Sequence, residues 1–388
     1  MIFILRVLQD FNGIKQVPRL LTKKGKIMKK IECLELAGKL LKRYETQHES
    51  VRHYYGLLAY YGLAQAAVAG DNREYLQKCK EYLAQYPDHF EHPPYNFESY
   101  RVGGNGKAWL FFKGAAPEWE EEIREYAEIT YHAPADPNGI MCRPQDAGKA
   151  VARIWIDVVT CTTPFMLYAG LALKEEKYVD FAADQCFKMY ELFLDETCGL
   201  LHQGKGFLAN PKRISQDHWS RGNGWGLVGL AELVRYLPKD SKHRQKAETY
   251  FVDMIDSLLP YQTTKGMWRQ EIIEPLAWEE SSGTGLILYC MGIGMRTGLL
   301  KGDAYRNAFE KGIQALGTYC LTDDFATWRS CPGCLCPGEG EEKGTVKAYL
   351  TEKIPQKDEV HSYGCMMLAF TEAYRNGITE VEIQGRIL

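Results

Sequence analysis

Residues 56–87 read GLLAYYGLAQAAVAGDNREYLQKCKEYLAQYP. The stretch up to Gly70 is apolar and rich in small residues on every face. The stretch from Asn72 onward carries charge along one face of a helical repeat. A helix apolar all round is buried, whereas an amphipathic one lies between core and solvent. A buried helix followed at once by a half-solvated one is a helical hairpin, and the fold depends on how often the chain repeats it.

The hairpin recurs along the chain. Periodicity and flanking breakers predict about twelve helices, near 29–46, 52–68, 72–85, 106–116, 118–131, 153–174, 176–194, 223–237, 241–263, 281–297, 303–320 and 361–375. Every second one is apolar nearly all round, as in GWGLVGLAELV (224–234), GTGLILYCMGIGM (283–295) and GCMMLAF (364–370). The others are charged on one side, as in KHRQKAETYFVDMIDSLLP (242–260). Inner and outer helices in alternation describe an all-α (α/α)6 barrel, a six-hairpin toroid, built as a single domain over 28–388. An α-solenoid is the competing layout, but no fixed repeat period supports it. Residues 1–27 read as an N-terminal extension, disordered or preceding the true start. The apolar run in MIFILRVLQDF is short, is broken by Arg6, and leads to no small-residue cleavage site.

Composition narrows the function. A net charge of −3 with no basic face argues against a nucleic-acid partner. No stretch approaches the roughly 18 to 20 apolar residues that span a bilayer. Twelve scattered cysteines read as reduced thiols, which points to a cytoplasmic protein. The run CPGCLCPG places Cys331, Cys334 and Cys336 close together. It lacks a second knuckle, so a compact loop is preferred to a zinc site. Nothing in the sequence sets the oligomeric state.

Polar-aromatic clusters precede the inner helices: HESVRHYYG, NFESYRVGGNGKAW, ARIWID, SQDHWSRGNGW, LAWEESSGTG and DEVHSYG. In a toroid whose inner helices run the same way, these starts share one rim and form a funnel for a small ligand. Helix starts attract caps in any case, yet caps do not require repeated Trp, Arg and His. Asp157 is the sharpest candidate within the funnel, because Trp155, Ile156, Val158 and Val159 flank it. Desolvation there raises a carboxyl pKa and suits a proton donor near neutral pH, unless the group is paired structurally. Glu98 is a possible second acid, or a surface or capping glutamate. Glu279 and Glu280 read as caps or as acceptors for a sugar hydroxyl. His202, His218 and His361 are individually weak signals. Arg221 could grip a carboxylate while Trp219 or Trp225 stacks on a ring, or it could stack on an indole and seal the rim.

Taken in order, WIDVVTCTTPFMLYAG, LLHQGKGF, HWSRGNGWGLVGLAELVRYLP, EESSGTGLILYCMGIGMRTGLL and HSYGCMMLAFTEAY resemble the unsaturated rhamnogalacturonyl hydrolases of glycoside hydrolase family 105. Those enzymes are related to the unsaturated glucuronyl hydrolases of family 88, and the resemblance runs from about residue 30 to residue 376. It implies an (α/α)6 barrel and an enzyme that removes a terminal C4=C5 unsaturated uronic acid from pectin-type lyase products. The reaction is hydration of a vinyl ether, with Asp157 as general acid and base and no metal or organic cofactor. Carried over residue by residue, the resemblance assigns His202, Trp219, Arg221 and Trp225 to the sugar pocket, and His361 and Tyr363 match the motif before the last inner helix. Tyr54 and His218 are expected beside them in binding a small oligosaccharide. Two positions depart from the family pattern. Glu98 stands where an aspartate is usual, and Lys205 where an aromatic is usual. A hydrolase of saturated uronides using an Asp157/Glu98 carboxylate pair is the first alternative. A sugar epimerase would want paired histidines across the pocket. A binding protein that kept the fold would have no need of a buried acid.

Overall fold

A computed structural model describes residues 28–48, 54–85 and 104–384. The helices without a polar face fold inward. They are α2 (Tyr54–Ala69), α4 (Asn105–Phe112), α6 (Asp157–Leu173), α8 (Ser220–Tyr236), α10 (Ser281–Thr297) and α13 (Val360–Arg375). Each packs against the next, and α13 packs back on α2, so the six make a closed ring. Around it stand the amphipathic α1 (Cys33–Gln47), α3 (Arg73–Leu83), α5 (Glu120–Tyr131), α7 (Glu176–Phe193), α9 (Arg244–Leu258) and α11 (Asp303–Cys320). This is the (α/α)6 barrel expected from the alternation of helix types.

Small residues let the inner helices touch. A Cβ on Gly364 would stand 2.8 Å from the Leu58 carbonyl carbon, and one on Gly283 would stand 2.7 Å from the Arg221 amide. Neither space admits a methyl group, so glycine is needed at both crossings. Far from the helix starts, the barrel interior holds a buried polar network rather than an apolar plug. The fully buried Glu232 accepts from Tyr289, and Arg296 and Arg375 both reach the buried Glu372. Tyr61 hydrogen-bonds Tyr168 at 2.7 Å in the same layer.

Several boundaries differ from the sequence expectation. The segment from 29 does not begin as a helix: Met28–Glu32 is strand β1, paired antiparallel with β6 (Glu380–Gln384). In β6 the alternation of a five-residue strand buries Val381 and Ile383, too short a run to stand out as strand period. The helix expected from 153 begins at Asp157, because Ile154–Trp155 (β2) pairs with Gly204–Lys205 (β5). The glycine-rich SRGNG, in the cluster expected to precede a helix starting at 223, forms the first turn of α8. The Asn223 side chain fastens that turn by accepting from the Leu201 amide at 2.7 Å and donating to its carbonyl at 2.9 Å. The helix expected over 106–116 stops at Phe112, two residues before Gly114 at φ +70. The one expected over 241–263 spans Arg244–Leu258 and ends in a 3-10 turn containing Pro260. A short helix, α12 (Val346–Glu352), was not expected.

Candidate active site

A cavity of about 220 Å³ opens where the inner helices begin. Tyr54 comes from the start of α2, Asn105 from the start of α4, Asp157 from the start of α6, and Trp225 from the second turn of α8. Arg143, Trp155, Cys334 and Leu335 also line it. Four helix starts thus converge on one space, because inner helices of a toroid all begin at the same end.

Asp157 is placed by two short strands. The Ile156 amide donates to the Gln203 carbonyl at 2.9 Å, next to the β2–β5 pairing, so the chain reaches Asp157 alongside Gln203. The residue keeps some exposure toward the cavity, while its Oδ2 is buried without a hydrogen-bond partner. Desolvation pushes its pKa from 3.8 up to about 7, and Asp217 adds to the rise. The Arg221 charge, its own amide and the Gln203 side chain oppose that rise. A carboxyl that holds its proton near neutrality can act as an acid and then as a base. Two more buried polar atoms without partners belong to lining residues, Asn105 Oδ1 and Trp225 Nε1. Buried polar atoms are ordinarily paired, so three such atoms around one cavity mark where a polar ligand would complete the hydrogen bonding.

A second set begins at the cavity-lining Tyr54. The Tyr54 hydroxyl meets His361 Nε2, and His361 Nδ1 lies 2.6 Å from Glu359 Oε1. Glu359 caps α13 by accepting from the His361 amide, and Ser330 Oγ donates to it at 2.6 Å. Burial alone would raise the Glu359 pKa, but His361 and Arg221 outweigh it and leave a value of about 2. Burial, and then the Arg221 charge, lower that of His361. A neutral imidazole beside a carboxylate donates from Nδ1, which leaves Nε2 to accept the Tyr54 hydroxyl proton. The phenol oxygen at the cavity wall is thereby polarised through an imidazole and a carboxylate.

The remaining residues expected in the pocket stand elsewhere. Arg221 is buried and stacks on Trp219, its Cζ 4.4 Å from the ring centroid. It donates to Ser282 Oγ at 2.9 Å and to the carbonyls of Cys331 and Pro332. Its forked donors hold the loop that carries Cys334 and Leu335 to the cavity. Glu280, expected as a cap or a sugar acceptor, caps α10 and also accepts from the Cys331 amide. Tyr363 is buried with its hydroxyl on Asp358 at 2.7 Å. His202 and His218 lie together, ring centroids 4.9 Å apart, and neither lines the cavity. Glu98 lies outside the described residues. Arg143, Asn105 and Gln203 are the additions. Only Asn105, beside a helix-opening glycine pair, carried a local signal. Arg143 stacks over Trp155 at 5.2 Å, a contact between a loop and a strand with no sequence signature.

The closed ring, with the carboxyl of Asp157 lining its cavity, is a scaffold that glycoside hydrolases use, and the family match gives the class. The chain belongs to Glycosyl Hydrolase Family 88, whose family model matches residues 33–377. It is similar to the unsaturated 3S-rhamnoglycuronyl hydrolase of Formosa agariphila, 29% identical over 47% of this chain and 51% of that one. It is also similar to the unsaturated rhamnogalacturonyl hydrolase YesR of Bacillus subtilis, 23% identical over 67% of this chain and 74% of the relative. The chain thus spans about half the length of the first of these relatives. Among solved structures, a possible family 105 member from Klebsiella pneumoniae matches with a TM-score of 0.76 at 18% identity, over 94% of this chain and 100% of that one. A family 88 hydrolase from Bacteroides vulgatus matches at 0.69 and 22% identity, over 88% and 98%. At these identities the structural likeness establishes the fold. No described helix is long and apolar enough to cross a membrane.

Proposed function

We propose that the protein removes a terminal C4=C5 unsaturated uronic acid from short lyase products, with rhamnogalacturonan fragments as the substrate class. The observation that carries this reading is Asp157, a carboxyl that lines a sugar-sized cavity and whose burial pushes its pKa up to about 7. The relatives named for unsaturated rhamnoglycuronyl and rhamnogalacturonyl hydrolysis support it.

In this mechanism Asp157 donates its proton to C4 of the vinyl ether, and positive charge develops at C5 and the ring oxygen. The carboxylate so formed stabilises that charge and takes a proton from the water that adds to C5. The resulting hemiketal opens, and the glycosidic bond breaks as it does so, for a net consumption of one water. Trp155 and Trp225 offer ring faces to the sugar. We assign the uronate carboxylate to Arg143, because it lines the cavity whereas the guanidinium of Arg221 is turned to the loop at Cys331 and Pro332. Glu98 is assigned as a second acid. Twelve free thiols suit a reducing compartment, and we place the activity in the cytoplasm.

The test is the ultraviolet absorbance of the conjugated double bond in lyase-generated unsaturated disaccharides. It falls with the wild-type protein and stays constant with Asp157→Asn. Release of saturated uronides, or an unchanged rate in Asp157→Asn, overturns the reading.

A further inference from the structure

The turn of the hairpin formed by β3 (Leu194–Asp195) and β4 (Leu200–Leu201) lies against the segment that enters α8, away from the cavity-lining residues. Asp195, Cys198 and His218 meet there, each offering one ligand atom within 4.8 Å of the others. Cys198 Sγ is 3.4 Å from His218 Nε2, and Asp195 Oδ2 is 3.1 Å from the same nitrogen.

That shared nitrogen decides the chemistry. In a nucleophilic triad the thiol contacts one imidazole nitrogen and the carboxylate orients the other. Here both converge on Nε2, while His218 Nδ1 is buried without a partner. Convergence of sulfur, nitrogen and oxygen on one point is the pattern of a metal site. Zinc bonds of about 2.0–2.3 Å in a tetrahedron put neighbouring ligand atoms roughly 3.3–3.6 Å apart, close to the separations observed.

The ligands are held for the task. Asp195 Oδ1 is occupied by the Thr197 amide at 2.9 Å and the Thr197 hydroxyl at 2.6 Å, which leaves Oδ2 for the cluster. Of the twelve cysteines, Cys198 alone is not buried, so an ion can reach it. His202 lies beside the set, with Nδ1 3.0 Å from the Asp217 carbonyl and Nε2 3.9 Å from Asp195 Oδ2. A ring nitrogen donating to a carbonyl fixes the tautomer that leaves the other nitrogen free to ligate.

We propose that Asp195, Cys198 and His218 bind a zinc ion, with His202 facing the fourth position. A thiolate, an imidazole and a carboxylate are a ligand set that suits zinc among the common divalent ions. Binding deprotonates the Cys198 thiol and releases that proton to water. The ion pins the hairpin to the start of α8, and with it the link after β4 that carries Gln203 to Asp157. Its role is structural and separate from the proton chemistry at Asp157.

The test is metal content and cobalt spectroscopy on the whole chain. Protein purified with zinc present retains about one zinc per chain after gel filtration, and cobalt substitution gives a thiolate-to-metal charge-transfer band. Cys198→Ser abolishes the band and the retained zinc, whereas Cys334→Ser keeps both. Circular dichroism of each variant establishes that it folds. Wild-type protein that retains no zinc and shows no cobalt–thiolate band overturns the proposal, without reliance on any variant. So does folded Cys198→Ser that still holds stoichiometric zinc.

Discussion

Gln203 stands beside Asp157 because the Ile156 amide donates to the Gln203 carbonyl at 2.9 Å. The Gln203 side chain works against the desolvation that keeps Asp157 protonated. It is itself held by the Cys336 amide at 3.2 Å and the Tyr349 hydroxyl at 2.5 Å. Gln203→Leu removes one restraint on the carboxyl, so the basic limb of the pH–rate profile moves to higher pH. Profiles of kcat/KM for the two proteins check this, and an unmoved limb contradicts it.

Asp157→Asn removes the acid, and kcat falls by about 10²–10⁴-fold. The same substitution stabilises the fold. The folded-state pKa is raised from 3.8 to about 7, so between these values the native state binds more protons than the unfolded chain. Stability contributed by Asp157 is therefore greatest below pH 3.8 and is lost as pH rises through about 7. At pH 8 the asparagine variant should gain about 1–3 kcal/mol, and at pH 4 almost nothing. Denaturant melts at the two pH values measure the difference.

Tyr54→Phe keeps the ring but deletes the hydroxyl that meets His361. A loss of about 10-fold or more in kcat with KM little changed is expected if the phenol acts on the bound sugar. His361 is the group that polarises the phenol. Burial lowers its pKa, so it stays neutral through the physiological range and charges only on acidification. Activity should therefore fall on the acid side as His361 takes a proton and stops accepting from Tyr54. A wild-type profile that stays flat at low pH would count against the relay.

Arg221→Lys replaces a fork with a single ammonium and cannot serve Ser282, Cys331 and Pro332 together. The loop bearing Cys334 and Leu335 loses its tie, so KM rises and stability drops by about 2–4 kcal/mol. If Arg221 instead gripped the substrate carboxylate, KM would rise while the melting temperature held.

Gly364→Ala tests the ring. The added methyl would meet Leu58 backbone at 2.8 Å, and the cost should reach about 2 kcal/mol or more in a urea melt.

The sequence was most legible where signals were local. The expected bounds of α10 and α11, 281–297 and 303–320, are those observed. Glu280 caps the first of these helices, and Gly298 at φ +75 ends it. Asp157 was legible because a carboxylate in an apolar run is itself a statement about environment. Arg143, Gln203 and the Asp195–Cys198–His218 cluster were not, because each depends on bringing together segments that only the folded hairpins align. Arg221 shows the other difficulty: its residue type announced a forked hydrogen-bonding group, but the acceptors were carbonyls some 110 residues away. The glycines of SRGNG lie ahead of the expected helix start at 223, whereas in the toroid they belong to the helix and let it press against its neighbours.

The packing of α13 on α2 also sets a timetable. The two helices that close the ring lie at opposite ends of the described chain. About 320 residues separate Tyr54 from Arg375, roughly 16–64 s of synthesis at ordinary rates. Throughout that interval the flank of α2 that will receive Gly364 has no permanent neighbour. The nascent chain must shield an apolar helix until nearly the last hairpin leaves the ribosome, so a chaperone that holds unfinished barrels should raise the yield of this protein more than its refolding rate from denaturant.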